Sequence, residues 1–579
     1  MEMKKMSTRP ITDNASRVMV EQLVASGIEY VFYNSGSREA RFFDSLHANP
    51  DIQGILSLHE GIVTAAAGGY SQVKGDPAVM VVHLGAGLAQ CLGQLINVWA
   101  AQLPVVVITF AGDTGSFADR VSLDLGHTFG PTSIAAPFVK ASWAVIEPEG
   151  LPQAFERAIR VAKTPPFGPV HLAIYDHMLE DELVTTNIIE GAIPEIRAGY
   201  PSDEDAEAIA AALDEAERPM IYVGDGIWKS GAESQIIAIA EHYGASVVTG
   251  FDDARGVPIT HPQHCGRIDL AAESIKPDQI ICFGIRHQGN GKAEDFDAFA
   301  TAERIISVGG GVANFQNLPG LSLEVLADES RTLERLQVLA DKGAPASKYD
   351  ARRASARSHS TALRDQRRAT TGWAPQKAGQ VRPIVLLEAM DAALENVGGG
   401  IITTEQFAAP FDCIPAKEGG GNIVYIRPAG GSEGYGIGAA IGAKLGAPDT
   451  PVIGLVGDGS TFYHDSGLWT AVHHNIPVLY IIPNNGAYGV VAGAFGAAGE
   501  VMTDTGEYAS VALEGIDPVV IASGFGMDGV TVDDESKVAD EIARGLDIVM
   551  NEKRPYILDV KLPLGLPQGG TPAEVWKFA

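Results

Sequence analysis

Hydrophobic positions along this chain alternate between two periods. Unbroken apolar runs at Tyr30–Tyr33, Val79–His83, Val105–Phe110 and Val170–Ile174 predict short buried strands, while Asn14–Ala25 and Leu151–Ala162 carry apolar residues at helical spacing. This alternation from about Thr12 to Val184 predicts an α/β domain. A second block opens at Ser202, a good N-cap, followed by Asp203, Glu204, Asp205 and an Ala-rich helix. Strand-like Met220–Val223, Ser246–Val248, Ile280–Phe283 and Ile305–Val308 follow it. The pattern breaks in the Arg-, Lys-, Ser- and Ala-rich Lys342–Gln380, expected as a solvated linker with a polar helix, and resumes from Arg382 to about Leu562. The expected division is residues 1–188, 189–345, a linker 346–380, and 381–579 with a Pro/Gly-rich tail.

The length of 579 residues agrees with three domains of roughly 150–200 residues each. A net charge of −30 argues against nucleic acid or an anionic membrane as the main partner. Cys91, Cys265, Cys282 and Cys413 lack metal-ligand spacing and suit thiols in a reducing compartment. No apolar run reaches 18 residues and the N-terminus lacks an apolar signal core, so the expectation is a soluble, cytoplasmic protein.

The chemistry concentrates in two short pieces. The apolar run Val452–Val456 ends in Gly457-Asp458-Gly459-Ser460, and the run Ile476–Pro483 ends in Asn484-Asn485-Gly486, with room between for a crossover helix. Two neighbouring parallel strands would place a carboxylate and a carboxamide side by side at one sheet edge, hard oxygen ligands suited to Mg²⁺ and phosphates. A second Gly-Asp-Gly, Gly224–Gly226, has no Asn pair at the matching distance and reads as a plain turn.

The segment Gly457–Val490 resembles the diphosphate-binding motif of thiamine diphosphate enzymes. The resemblance implies that Asp458, Asn485 and the Ala487 carbonyl hold Mg²⁺, and that Gly457, Gly459, Ser460, Gly430, Thr404 and Tyr488 lie at the cofactor. It also implies two cofactor-binding domains flanking a Rossmann-like middle domain, all doubly wound α/β. His59-Glu60-Gly61, after the apolar Ile55–Leu58, matches the family's glutamate that hydrogen-bonds the aminopyrimidine ring of the cofactor. Within the family three pieces are similar to benzoylformate decarboxylase. Asn34-Ser35-Gly36-Ser37 resembles a turn that points a serine at the substrate carboxylate; Val82-His83-Leu84 and Arg286-His287-Gln288 resemble the two active-site histidines. Imidazole titrates near neutrality, which suits proton transfer at a carbonyl adduct.

The implied activity is non-oxidative decarboxylation of a 2-oxo acid, with carboligation or lyase chemistry on 2-hydroxy ketones or acyl-CoA substrates as the alternative. The implied assembly is a homodimer or homotetramer. Two departures stand out: Ser35 and Gly438 replace prolines of the family pattern. A third is larger, because Glu433 falls where the family usually places an apolar residue beneath the thiazolium ring; Tyr435 or Ile437 could supply that residue instead. A dinucleotide reading of Gly85-Ala86-Gly87 fails at Gln90, where the third glycine should stand.

Overall fold

The computed structural model describes residues 7–111, 130–179, 182–191, 196, 199–250, 255–286, 299–312, 320–371, 378–409, 411–498, 505, 510–513 and 515–564. Its framework is three six-stranded parallel sheets. The inner strands are short runs buried on both faces between helices, which is why they read as continuous apolar segments, whereas edge strands such as Gln53–Leu56 and Gly529–Val532 are partly exposed. The expected strands form, with ends shifted by up to three residues; Ile476–Pro483, for example, becomes Leu479–Asn484.

In the first sheet the spatial order is Gln53–Leu56, Tyr30–Tyr33, Ala78–Val81, Val105–Ala111, Val170–Tyr175, Ala141–Val145. In the third it is Ile423–Ile426, Gly400–Glu405, Val452–Val456, Leu479–Asn484, Tyr556–Lys561, Gly529–Val532. Numbered in chain order within each domain, both sheets run 2-1-3-4-6-5. The middle sheet runs 3-2-1-4-5-6, the dinucleotide-fold order. An antiparallel pair, Ser7–Asn14 with Leu183–Glu190, was not foreseen.

The first and third domains meet through topologically equivalent helices, Glu60–Lys74 and Gly436–Gly446, each lying between strands two and three of its sheet. Glycines let the two backbones touch. A Cβ at Gly69 would fall 2.6 Å from Ala439 Cα, and one at Gly442 would fall 2.5 Å from Tyr70 N, beside the Ala66 carbonyl. Ile62, Ala66, Ile437 and Ala440 continue this contact into one shared core.

The segment expected as a solvated linker holds a 22-residue helix, Asp350–Thr371, and one of its arginines is not solvated. Arg364 is 5% exposed and donates to the carbonyls of Ile414 (2.7 Å) and Ile259 (2.6 Å). Fixed carbonyl dipoles replace water around the guanidinium, so this stretch ties the middle domain to the third. The Gly224–Gly226 segment is likewise more than a plain turn. Asp225 pairs with Arg286 at 3.3 Å, and Gly224 and Gly226 pack against Gly284. Among the described residues no helix is long and apolar enough to cross a membrane.

Candidate active site

In an open α/β sheet, ligands collect outside the carboxyl ends of the strands where the strand order reverses. In the third domain that point lies between Gly400–Glu405 and Val452–Val456, and an open cleft occupies it. Asp458, Gly459, Ser460, Asn485, Ala487 and Tyr488 line the cleft together with Gly457. Seven of the residues singled out in the sequence therefore converge.

Their oxygen geometry is specific. Asp458 Oδ2 accepts from Gly486 N at 3.0 Å, which ties the first turn to the second. The amide oxygen of Asn485 faces two other oxygens, 2.9 Å from the Ala487 carbonyl and 3.1 Å from Asp458 Oδ1. Turning the amide over would make both contacts hydrogen bonds. As it stands, the Asn485 oxygen lies close to both of the others; adjacent ligands of an octahedral ion bound at about 2.1 Å stand about 3.0 Å apart. Burial pushes the Asp458 carboxyl up to about 6 against the pull of backbone N–H donors. A bound cation would reverse that shift. The donor set thus fits a hard divalent cation.

Two expected cofactor residues sit elsewhere. Gly430 is pressed onto the backbone of Ile96 in the first domain, where its N–H donates to Asn97 Oδ1 at 3.0 Å. Thr404 is buried in its strand, and Gln406 and Phe407 reach the cleft instead. The apolar residue sought near Glu433 is supplied by neither alternative. Tyr435 is buried against Gly68 and donates to Gln72 Oε1 at 3.0 Å, while Ile437 packs on Gly467. Glu433 itself lines the cleft and accepts from Ser460 Oγ at 2.7 Å. Behind it, buried Glu405 accepts from the N–H groups of Gly434 (2.8 Å), Tyr435 (3.2 Å) and Gly436 (2.6 Å).

A second cluster occupies the switch point of the first sheet. Glu60 opens its helix, with the His59 side chain capping Gly61 N at 2.9 Å. A Cβ at Gly87 would lie 3.0 Å from Glu60 Oε1 and 3.2 Å from His83 Cβ, so Gly87 lets those two side chains approach. His83 Nδ1 is 2.8 Å from Glu39 Oε1, and Gly36 sits directly against both. Ser37 is exposed at the start of the turn that carries Glu39. The structure therefore gathers Glu60, His83 and the Ser37 turn, and adds Glu39, which the sequence reading passed over. Among the residues lining the third-domain cleft none comes from this cluster. His287 lies outside the described residues, as does the tail beyond Leu564. His464 bridges the domains: its Nδ1 is 2.8 Å from the Gly434 carbonyl and its ring lies 4.7 Å from that of His59.

This order of domains and motifs is matched by three family models. The thiamine pyrophosphate enzyme N-terminal TPP binding domain matches residues 13–127, the central domain 206–336, and the C-terminal TPP binding domain 419–560. The chain belongs to the thiamine pyrophosphate (thiamine diphosphate) enzymes, close to benzoylformate decarboxylase. It is 26% identical over 570 residues to benzoylformate decarboxylase of Pseudomonas aeruginosa, covering 93% of this chain and 97% of that one. It is 25% identical over 589 residues to the acetolactate synthase large subunit of Corynebacterium glutamicum, covering 98% and 89%. In fold it is similar to the thiamine diphosphate-dependent 4-hydroxybenzoylformate decarboxylase of Rhodococcus jostii RHA1. That likeness has a TM-score of 0.76 at 24% identity and covers 95% of this chain and 99% of the other.

Proposed function

We propose that this enzyme catalyses the thiamine diphosphate- and Mg²⁺-dependent, non-oxidative decarboxylation of a 2-oxo acid, with an aromatic acid of the benzoylformate type as first candidate. The observation that carries the reading is the oxygen trio of Asp458, Asn485 and Ala487 beside the Gly457–Ser460 turn. In this reading the trio holds Mg²⁺, the two glycines admit the diphosphate, and Tyr488 flanks it. When bound, the cofactor supplies a carbon nucleophile and an electron sink. Glu60 holds a proton at the aminopyrimidine ring; His83, steadied by Glu39, moves a proton at the substrate carbonyl oxygen; Ser37 donates to the substrate carboxylate. These three residues belong to the first domain, and none of them lines the cleft of the third. A second copy of the chain, its first domain laid on that cleft, completes the site, which makes the working unit a homodimer or a homotetramer.

Carboligation is the second reading, supported by the likeness to acetolactate synthase. A panel of 2-oxo acids, assayed for CO₂ release with cofactor and Mg²⁺, with and without added aldehydes, separates the two. CO₂ release with a free aldehyde product supports decarboxylation. Turnover seen only with an acceptor, and ending in a 2-hydroxy ketone, supports carboligation. No CO₂ from any acid in either arm overturns the decarboxylase.

A further inference from the structure

The Glu433 carboxylate is held in the cleft by contacts from both domains. Helix Ala86–Ala100 of the first domain sends Gln94 Nε2 to the Glu433 carbonyl (2.7 Å) and Asn97 Nδ2 to the Ser432 carbonyl (2.7 Å). Asn97 Oδ1 accepts from Gly430 N and Ser432 N at 3.0 and 3.2 Å. From the third domain, Glu405 takes the next three N–H groups, His464 faces the Gly434 carbonyl, and Ser460 Oγ donates to the Glu433 carboxylate. The main chain from 430 to 436 is thus fastened at nearly every residue, and the one side chain it sends into the cleft is an acid. Such preorganisation is the mark of a placed group rather than a surface charge.

The two neighbouring carboxyls, Glu405 and Glu433, form no ion pair among the described residues. Burial, and then the charge of Glu433, push the Glu405 carboxyl well above its ordinary range. A part-buried carboxylate whose one hydrogen-bond donor is the neutral Ser460 hydroxyl still lacks a counter-charge, and charges drawn away from water are normally paired. The Asp458–Asn485–Ala487 trio is directed at a metal beside the diphosphate turn, so the metal does not fill this need. The remaining cation is the cofactor's thiazolium ring, joined to the diphosphate by a two-carbon chain and therefore confined to the same cleft.

We propose that Glu433 is the counter-charge to the cationic ring of bound thiamine diphosphate, held there by Asn97, Gln94 and Ser460. The inference rests on the cofactor placement proposed above. Direct binding tests it, using full-length protein at fixed Mg²⁺ with two ligands: thiamine diphosphate, and 3-deaza-thiamine diphosphate, whose ring has the same shape and no charge. Glu433→Gln keeps an acceptor for Ser460 and removes the charge. Relative to wild type, it should move the ratio of the two Kd values about tenfold against the cationic ligand, with the Kd of the neutral ligand little changed. Equal weakening of both ligands would make Glu433 merely structural and overturn the proposal. So would an unchanged ratio, or a change confined to the Mg²⁺ requirement. Failure of wild type to bind either ligand would overturn the cofactor placement as well, whereas an unchanged ratio with normal binding overturns only the role of Glu433.

Discussion

His83 Nδ1 stands 2.8 Å from Glu39 Oε1, and the Glu39 side chain is 1% exposed. A carboxyl this deep orients the ring and fixes which nitrogen faces the first-domain switch point. His83→Ala is expected to lower kcat by about 10²–10⁴, and Glu39→Gln by roughly ten- to a hundredfold with KM little changed. Because Glu39 acts through the imidazole, Glu39→Gln should cost almost nothing more in the His83→Ala background. Independent, multiplying losses in the double variant would disprove the coupling.

Glu60→Gln is expected to leave the melting temperature unchanged and to reduce turnover by orders of magnitude, because the amide cannot exchange a proton with the aminopyrimidine ring. The check is kcat alongside thermal melting. Near-normal turnover would remove Glu60 from the mechanism.

Asp458→Ala deletes one of the three clustered oxygens and the acceptor for Gly486 N. Titration calorimetry should show loss of Mg²⁺-dependent cofactor binding. Cofactor affinity that still responds to Mg²⁺ as in wild type would show that the metal sits elsewhere.

Much of this site can be read in the chain because buried parallel strands are unbroken apolar runs, and the glycine and asparagine turns follow them directly. Val452–Val456 with Asp458, and Leu479–Asn484 with Asn485, are such cases. Glu39 is different. It lies in Ser37-Arg38-Glu39, which looks like a charged surface turn, and only the pairing of neighbouring strands brings His83 over it. Gln94 and Asn97 left a faint trace, two buried amides three residues apart on a mostly apolar helix, where a shared partner is the usual reason. Arg364 left none, since the carbonyls that replace its water come from loops about 50 and 100 residues away in sequence. Nor does local pattern reveal that the first and third sheets share a strand order, because order is a property of long-range pairing.

His264 is buried and its imidazole is pushed down to about 3 by desolvation, ahead of the nearby Arg364 charge. Its folded-state value lies below the ordinary 6.5. The stability this shift contributes is therefore complete above about pH 6.5 and is lost as pH falls toward 3, at up to about 1.4 kcal/mol per pH unit. Raised carboxyls such as Glu405 act in the opposite direction, so the comparison must be made against a variant. Urea midpoints at pH 7, 6 and 5 should fall more steeply for wild type than for His264→Gln. Parallel slopes would refute the assignment.

Gly442→Val forces a side chain into the backbone of Ala66 and Tyr70. With no flexible neighbour to yield, the expected cost is several kcal/mol, read as a large drop in melting temperature. A variant as stable as wild type would mean that the two helices can separate freely.

That glycine-lined crossing also limits how the first and third domains can move. Main chain resting on main chain leaves no layer of side chains to slide past one another, so shear between Glu60–Lys74 and Gly436–Gly446 is blocked. The close approach recurs at Gly438 against Ala65 and at Gly446 against Tyr70, so the two helices form one block, and Glu60 and Gly436, which open them, keep a fixed relation to each other.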